Sequence, residues 1–211
     1  MKKGKSLLTY KYQVFSVMVL AILMPIGGGL LSSVASATEW STPTFGGSGG
    51  TRSYNLDCGR GSVMVGLMYK SGSWIDEIGV ICRKVSASTG RLGEEFTRGP
   101  VGGVGGDPRI SKCVPGGVIG SVVDAQWGSF VNHLVLGCYE WDASRKRSGR
   151  IQKVAPSIDI QVLVKAGSKC GLLCNFSGRI VCPSGKTGKA LRGKYGGYID
   201  STRFVCDAWD Q

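Results

Sequence analysis

Few residues of this chain could do chemistry, and two of them recur at one spacing. Asp76 stands four residues after Gly72, and Asp200 four after Gly196; the matching place after Gly128 holds Asn132. Glycine followed by Asp or Asn is turn chemistry in its own right, because the short polar side chain bonds the local backbone. Two carboxylates can also cleave a glycosidic bond, but only when they face each other across one cleft. Asp76 and Asp200 come from repeated loops on separate sheets, so glycan cleavage ranks last among the readings. Other chemistries lack their residues. His133 is the single histidine, and no G-x-S-x-G elbow accompanies it, which leaves a Ser–His–Asp hydrolase unsupported. Ser184-Gly185-Lys186-Thr187 resembles the end of a phosphate loop, yet Ile180 stands where that loop needs its first glycine. Cys170 and Cys174 are spaced C-x3-C with no C-x2-C pair elsewhere, a poor zinc pattern. No catalytic residue, metal or cofactor is implied. Asn175-Phe176-Ser177 is a glycosylation sequon, of use only in a eukaryotic source.

These residues belong to a repeat. Three segments bounded by cysteines align: Cys58 to Cys82, Cys113 to Cys138, and Cys182 to Cys206. The first cysteine precedes Gly72, Gly128 and Gly196 by 14, 15 and 14 residues, and the closing cysteine follows Asp76, Asn132 and Asp200 by six. Trp74, Phe130 and Tyr198 are aromatic, and Ile75, Val131 and Ile199 are β-branched. After each turn the apolar positions alternate: Ile78, Val80, Cys82; Leu134, Leu136, Cys138; Thr202, Phe204, Cys206. Before the first turn Val63, Val65 and Leu67 alternate likewise. Period two marks half-buried strands. Each repeat therefore reads as strand, tight glycine turn, strand, and three such units can bury together what one cannot. The frame predicts disulfides Cys58–Cys82, Cys113–Cys138 and Cys182–Cys206, with Cys170–Cys174 as the fourth. Double glycines precede two repeats, at Gly46-Gly47 through Gly50 and at Gly102-Gly103 through Gly106. The matching stretch of the third is read as Gly171 to Asn175, where the glycine pairs are gone.

The rest of the chain sets the compartment. Lys2, Lys3, Lys5 and Lys11, the apolar run Val14 to Met24, and Ala35-Ser36-Ala37 make a signal peptide, residues 1–37, cleaved after Ala37. The apolar run is too short for the ~20 residues of a membrane span. Residues 38–211 then form a single secreted or periplasmic domain, with repeats at about 43–85, 99–141 and 158–208. Eight cysteines, all after the signal, suit an oxidising compartment. Net charge is +12, of which the signal supplies the four lysines named. The surplus favours acidic polymers, although the cluster Arg145-Lys146-Arg147 with Arg150 and Lys153 reads first as a solvated linker. No nucleic-acid recognition motif is present.

The G-G-x-G-G stretches and the glycine, aromatic, Ile-Asp turns resemble the jacalin-related lectins, and the cysteine-bounded repeats also look like the vitelline membrane outer layer proteins. Both resemblances imply an all-β fold, the β-prism of three pseudo-symmetric Greek-key sheets. The lectin resemblance further implies a sugar held between a G-x-x-x-D loop and a double-glycine loop from a neighbouring repeat. Gly72, Ser73, Trp74 and Asp76 would face Gly102 and Gly103. Gly196, Gly197, Tyr198 and Asp200 would face Gly46 and Gly47. Gly128, Phe130 and Asn132 would form a weaker, degenerate site. An ionised Asp accepts from two adjacent hydroxyls in charge-assisted bonds, and glycine lets the backbone come close to a ligand. The expected protein is a non-catalytic carbohydrate-binding protein, with glycans as partners and acidic cell-surface polysaccharide among them. The outer-layer resemblance implies instead a structural or coat protein, in which the same loops are turns only. The sequence assigns no oligomeric state.

Overall fold

The computed structural model describes residues 39–155, 158–161, 163–169 and 174–210. Every regular element among them is a β-strand, as the period-two patterns predict. Each repeat supplies a long antiparallel hairpin: Ser62–Ser71 with Ile75–Val85, Gly117–Trp127 with Val131–Asp142, and Thr187–Tyr195 with Ile199–Asp207. Each hairpin is the centre of one sheet.

The flanking strands come from elsewhere. Arg52–Asp57 precedes the first repeat but pairs with Thr187–Tyr195 of the third. Asp107–Lys112 precedes the second repeat but pairs with Ser62–Ser71 of the first. Asn175–Ser177 and Ile180–Val181 precede the third but pair with Gly117–Trp127 of the second. Each sheet is thus completed by chain that leads into the following repeat, which is the Greek-key arrangement expected. A two-stranded ribbon, Lys153–Ala155 with Ile158–Gln161, stands apart from the three sheets.

The first strands of the three hairpins touch one another pairwise, so the sheets enclose one core. Ile78, Val80, Cys82, Leu134, Leu136, Cys138, Phe204 and Cys206 all point into it, with Ile75, Val131 and Ile199 at its upper end. Truncating a side chain as large and as buried as Phe204 would cost about 3–5 kcal/mol.

One alternation differs from expectation. A bulge between Met64 and Gly66 adds a residue to the first hairpin strand. Met64 and Leu67 consequently face the main core, while Val63 and Val65 join a smaller cluster with Ile81, Val85 and Val118. An extra residue reverses the facing of everything beyond it. Matching irregularities at Ile119/Ser121 and Gly188/Ala190 make the bulge a property of the repeat.

Disulfides join Cys58–Cys82, Cys113–Cys138 and Cys182–Cys206. Cys174 is also disulfide-bonded; its expected partner Cys170, like residues 1–37, lies outside the described residues. The basic segment is more ordered than a linker. Arg147–Ile151 is an edge strand paired with Val131–Asp142. No helix among the described residues is long and apolar enough to cross a membrane.

Candidate functional site

The three hairpin turns share one geometry. The N–H of the first glycine donates to the carbonyl of the aromatic residue two positions on: Gly72 to Trp74 at 3.2 Å, Gly128 to Phe130 at 3.1 Å, Gly196 to Tyr198 at 3.0 Å. The next strand then starts, with Asp76, Asn132 or Asp200 as its second residue. All three of these side chains are buried.

A second loop seals each turn from the side. The N–H of Gly47 donates to the Asp200 carbonyl at 2.9 Å, and the N–H of Gly103 donates to the Asp76 carbonyl at 2.8 Å. The two pairings expected from the sequence are therefore formed. The third is formed by a different residue from the one expected. Ser168 N–H donates to the Asn132 carbonyl at 3.0 Å, so the counterpart of Gly46 and Gly102 is Gly167, not Gly171, which lies outside the described residues. All three glycines have positive φ: +113° at Gly46, +132° at Gly102 and +76° at Gly167. A Cβ at any of them would lie 2.0–2.2 Å from the carbonyl oxygen of Asp200, Asp76 or Asn132. The sequence carried a signal for this equivalence: an apolar residue followed by Gly closes the incoming strand at Phe45-Gly46, Val101-Gly102 and Ala166-Gly167.

The second glycine pair of each loop faces the carboxylate. A Cβ on Gly49 would sit 2.5 Å from Asp200 Oδ1, and one on Gly50 2.8 Å from Oδ2. Gly105 and Gly106 stand in the same relation to Asp76, at 2.6 Å from Oδ1 and 2.6 Å from Oδ2. These glycines let the loop backbone pack directly on the carboxylate, closer than any side chain would allow.

The three sites then diverge. Asp200 Oδ2 is buried with no hydrogen-bond partner, which is costly for a carboxylate oxygen unless something supplies a donor. Asp76 Oδ2 is already engaged by the Gly72 N–H at 3.1 Å. Asn132 is turned to a structural use: its Nδ2 donates to the Ser73 carbonyl of the first turn at 3.2 Å. The middle site is thus not an open weaker copy; its side-chain amide ties two turns together.

The middle turn contributes to another site instead. Gly128, Ser129 and Phe130 wall a groove of about 420 Å³ with Gly47, Ser48, Gly49 and Asp200. Gly47 packs on the Ser129 carbonyl, where a Cβ would lie at 2.4 Å. Gly103 packs likewise on the Gly197 carbonyl, at 2.1 Å. Each double-glycine loop is therefore wedged between two turns, and the sequence of a single repeat cannot reveal the second of them.

The aromatic residues meet at the centre. Trp74 and Tyr198 lie 5.0 Å apart between ring centroids, Phe130 and Tyr198 5.0 Å, and Trp74 and Phe130 5.7 Å, all tilted or edge-on. They cap the end of the prism by packing on one another, the arrangement that ring quadrupoles favour. Trp74, at 39% exposure, is the most open large apolar side chain of the cap. Among the described residues no group of His, Cys, Asp and Glu is arranged to hold a metal.

No family model and no curated protein matches this chain. Solved structures do. Malaysian banana lectin aligns at a TM-score of 0.53 and 17% identity, over 82% of this chain and 99% of that one. Artocarpin, described as a lectin with mannose specificity, gives 0.52 at 11% identity over 82% and 99%. A mannose-binding jacalin-related lectin from Ananas comosus gives 0.50 at 15% identity over 81% and 98%. Sheet topology, paired loops and these likenesses define the class: a jacalin-like β-prism, here carrying one disulfide within each cysteine-bounded repeat.

Proposed function

We propose that this protein is a non-catalytic lectin that binds glycans at the end of the prism bearing the three turns. The observation that carries this is the state of Asp200. Its carboxylate is buried with one oxygen lacking a donor, and Asp200 lines the groove formed by Gly47, Ser48, Gly49 and the middle turn. Vicinal sugar hydroxyls supply the donors such a carboxylate lacks. Ser48 and Ser129 offer hydroxyls beside it, and Phe130 offers an apolar wall for a sugar C–H face. The site of Asp76 is the second and weaker one, because its carboxylate already accepts a backbone N–H. A turn needs no unpaired carboxylate, and for that reason the lectin reading is preferred to a coat protein in which the loops serve folding alone.

Binding at one shallow site of a few hydrogen bonds should be weak, on the order of millimolar. Two sites on one chain add avidity on a polysaccharide or cell surface. The disulfides fit an oxidising compartment, and residues 1–37 are read as the signal that takes residues 38–211 there.

The experiment is a glycan array probed with residues 38–211, with mannosides included because two of the structural neighbours bind mannose by description. An Asp200→Ala/Asp76→Ala variant is run beside it. Binding by the parent that vanishes in the folded variant is the expected result. Absence of binding by the parent, or binding indifferent to both substitutions, would overturn the reading.

A further inference from the structure

The far end of the prism holds a larger groove, of about 710 Å³. It runs between the edge strand Arg147–Ile151 and the turn following Val181. The hairpin strand Val131–Asp142 has the Asn132 turn at one end and this groove at the other. At ~3.3 Å per residue, the two ends are about 35 Å apart.

Its charges are unevenly satisfied. Asp142 is saturated: Oδ1 accepts from the Ser144 N–H, the Ser144 hydroxyl and the Arg145 N–H, and Oδ2 lies 3.6 Å from Arg145. Those bonds hold its carboxyl below the usual range. Glu140 is the other acid in the lining. Arg147 and Arg150, by contrast, have no ion-pair partner among the described residues. Two guanidinium groups without partners, three positions apart with Ser148 and Gly149 between them, line the groove together. The strand's irregularity between Ser148 and Ile151 breaks the alternation that would put them on opposite faces, and the guanidinium fork matches a carboxylate or sulfate oxygen pair. The aromatic residues of the groove are not free to stack on a base. Tyr139 is buried with its hydroxyl bound by Arg179 at 2.8 Å, and Trp141 Nε1 is fixed on the Gly90 carbonyl at 2.6 Å. Single-stranded nucleic acid relies on such stacking.

We infer that this groove is a second binding site, separate from the Asp200 site, for an acidic glycan whose carboxylate or sulfate groups pair with Arg147 and Arg150. The inference does not rest on the lectin reading of the other end. One chain would then grip two chemically different stretches of polysaccharide, by hydroxyl recognition at one end and by charge at the other.

The test uses residues 38–211 and three fluorescent hexasaccharides: sulfated heparin-derived, oligogalacturonate, and neutral mannan-derived. Fluorescence anisotropy at low and at physiological salt reads the affinity, since exposed charge pairs weaken as salt rises. The parent should bind one or both acidic hexamers, which separates sulfate from carboxylate as the preferred group. Arg147→Gln/Arg150→Gln should weaken that binding at least tenfold, and Arg147→Lys/Arg150→Lys should weaken it less. Arg52→Gln/Arg109→Gln, which removes the same charge elsewhere, should change it less than twofold. Circular dichroism confirms that each variant folds. The proposal fails if no acidic hexamer binds, if both glutamine pairs weaken binding equally, or if single-stranded DNA of equal charge binds as tightly.

Discussion

At the scale of single residues, three homologous positions have been put to three uses. Asp200 keeps an oxygen unpaired, Asp76 gives one to the Gly72 N–H, and Asn132 donates to the Ser73 carbonyl. Function and stability should therefore separate between them. Asp200→Asn changes a side chain that has a buried oxygen without a partner, so thermal stability should hold or rise while glycan binding falls about ten- to a hundredfold, as loss of a charge-assisted hydrogen bond predicts. Asp76→Asn should cost about 1 kcal/mol of stability and reduce total binding less. A melting curve and a titration on each variant decide it. The opposite order, with Asp200→Asn the more destabilised and binding untouched, would make both residues turn caps. The carboxylates and the loops they face were legible in the sequence, because spacing within a repeat is conserved by the repeat itself. The Asn132–Ser73 bond and the Gly47–Ser129 and Gly103–Gly197 contacts were not, since they join different repeats, and no spacing inside one repeat encodes them.

At the scale of elements, the strand Leu163–Gly167 shows what a repeat pattern can hide. Its closing glycine stands 15 residues ahead of Cys182, against 12 for Gly46 ahead of Cys58 and 11 for Gly102 ahead of Cys113. Counting back from the cysteine therefore lands beyond the true counterpart, on Gly171. The bulge at Met64/Gly66 misleads in the same manner, by breaking a period of two inside a continuous strand. Pairing geometry, and not linear distance, decides both. That strand also sets the environment of His133, the residue after Asn132. Its Nδ1 lies 3.3 Å from the Gly167 carbonyl and its Nε2 4.0 Å from Asp124 Oδ2. Burial pushes its pKa down, helped by Lys165 and Lys169, against the opposing pull of Gly167 and Asp124. A histidine with a folded pKa below its free value of about 6.5 destabilises the fold on acidification, because the unfolded chain takes the proton first. Stability should thus be unaffected by His133 well above pH 6.5 and should decline as the pH falls from there toward the lower folded value. Melting temperatures from pH 8 to pH 5 should drop less in His133→Gln than in the parent. Parallel profiles for the two proteins would remove His133 from the account.

At the scale of the whole molecule, the three disulfides close a ring. Cys58 follows the strand Arg52–Asp57, which belongs to the third repeat's sheet, and bonds Cys82 in the first sheet. Cys113 follows Asp107–Lys112 in the first sheet and bonds Cys138 in the second. Cys182 follows Ile180–Val181 in the second sheet and bonds Cys206 in the third. Each bond therefore staples a chain at the point where it leaves one sheet to the sheet it enters next, and the three together bind every pair of faces. The pairing of the cysteines was legible from the frame of the repeat; the ring was not, because it depends on each leading strand joining the preceding repeat's sheet. The sequence separations of 24, 25 and 24 residues are nearly equal. Loop-closure entropy then gives each bond about 3 to 4 kcal/mol. For a domain of this size that is roughly 7 to 15 °C in melting temperature per bond. Three double variants, each replacing one pair with alanine, should melt lower by similar amounts. The variant lacking Cys182–Cys206 is the informative one. Its bond sits at the far end of the strand Ile199–Asp207 from Asp200, and Asp200 is held by the Gly47 N–H and by its own hairpin turn. That variant should lose stability yet keep the glycan affinity of the parent at temperatures where it stays folded. If affinity falls with stability, the site depends on the tension of the whole ring, and the independence of the two ends of the prism is lost.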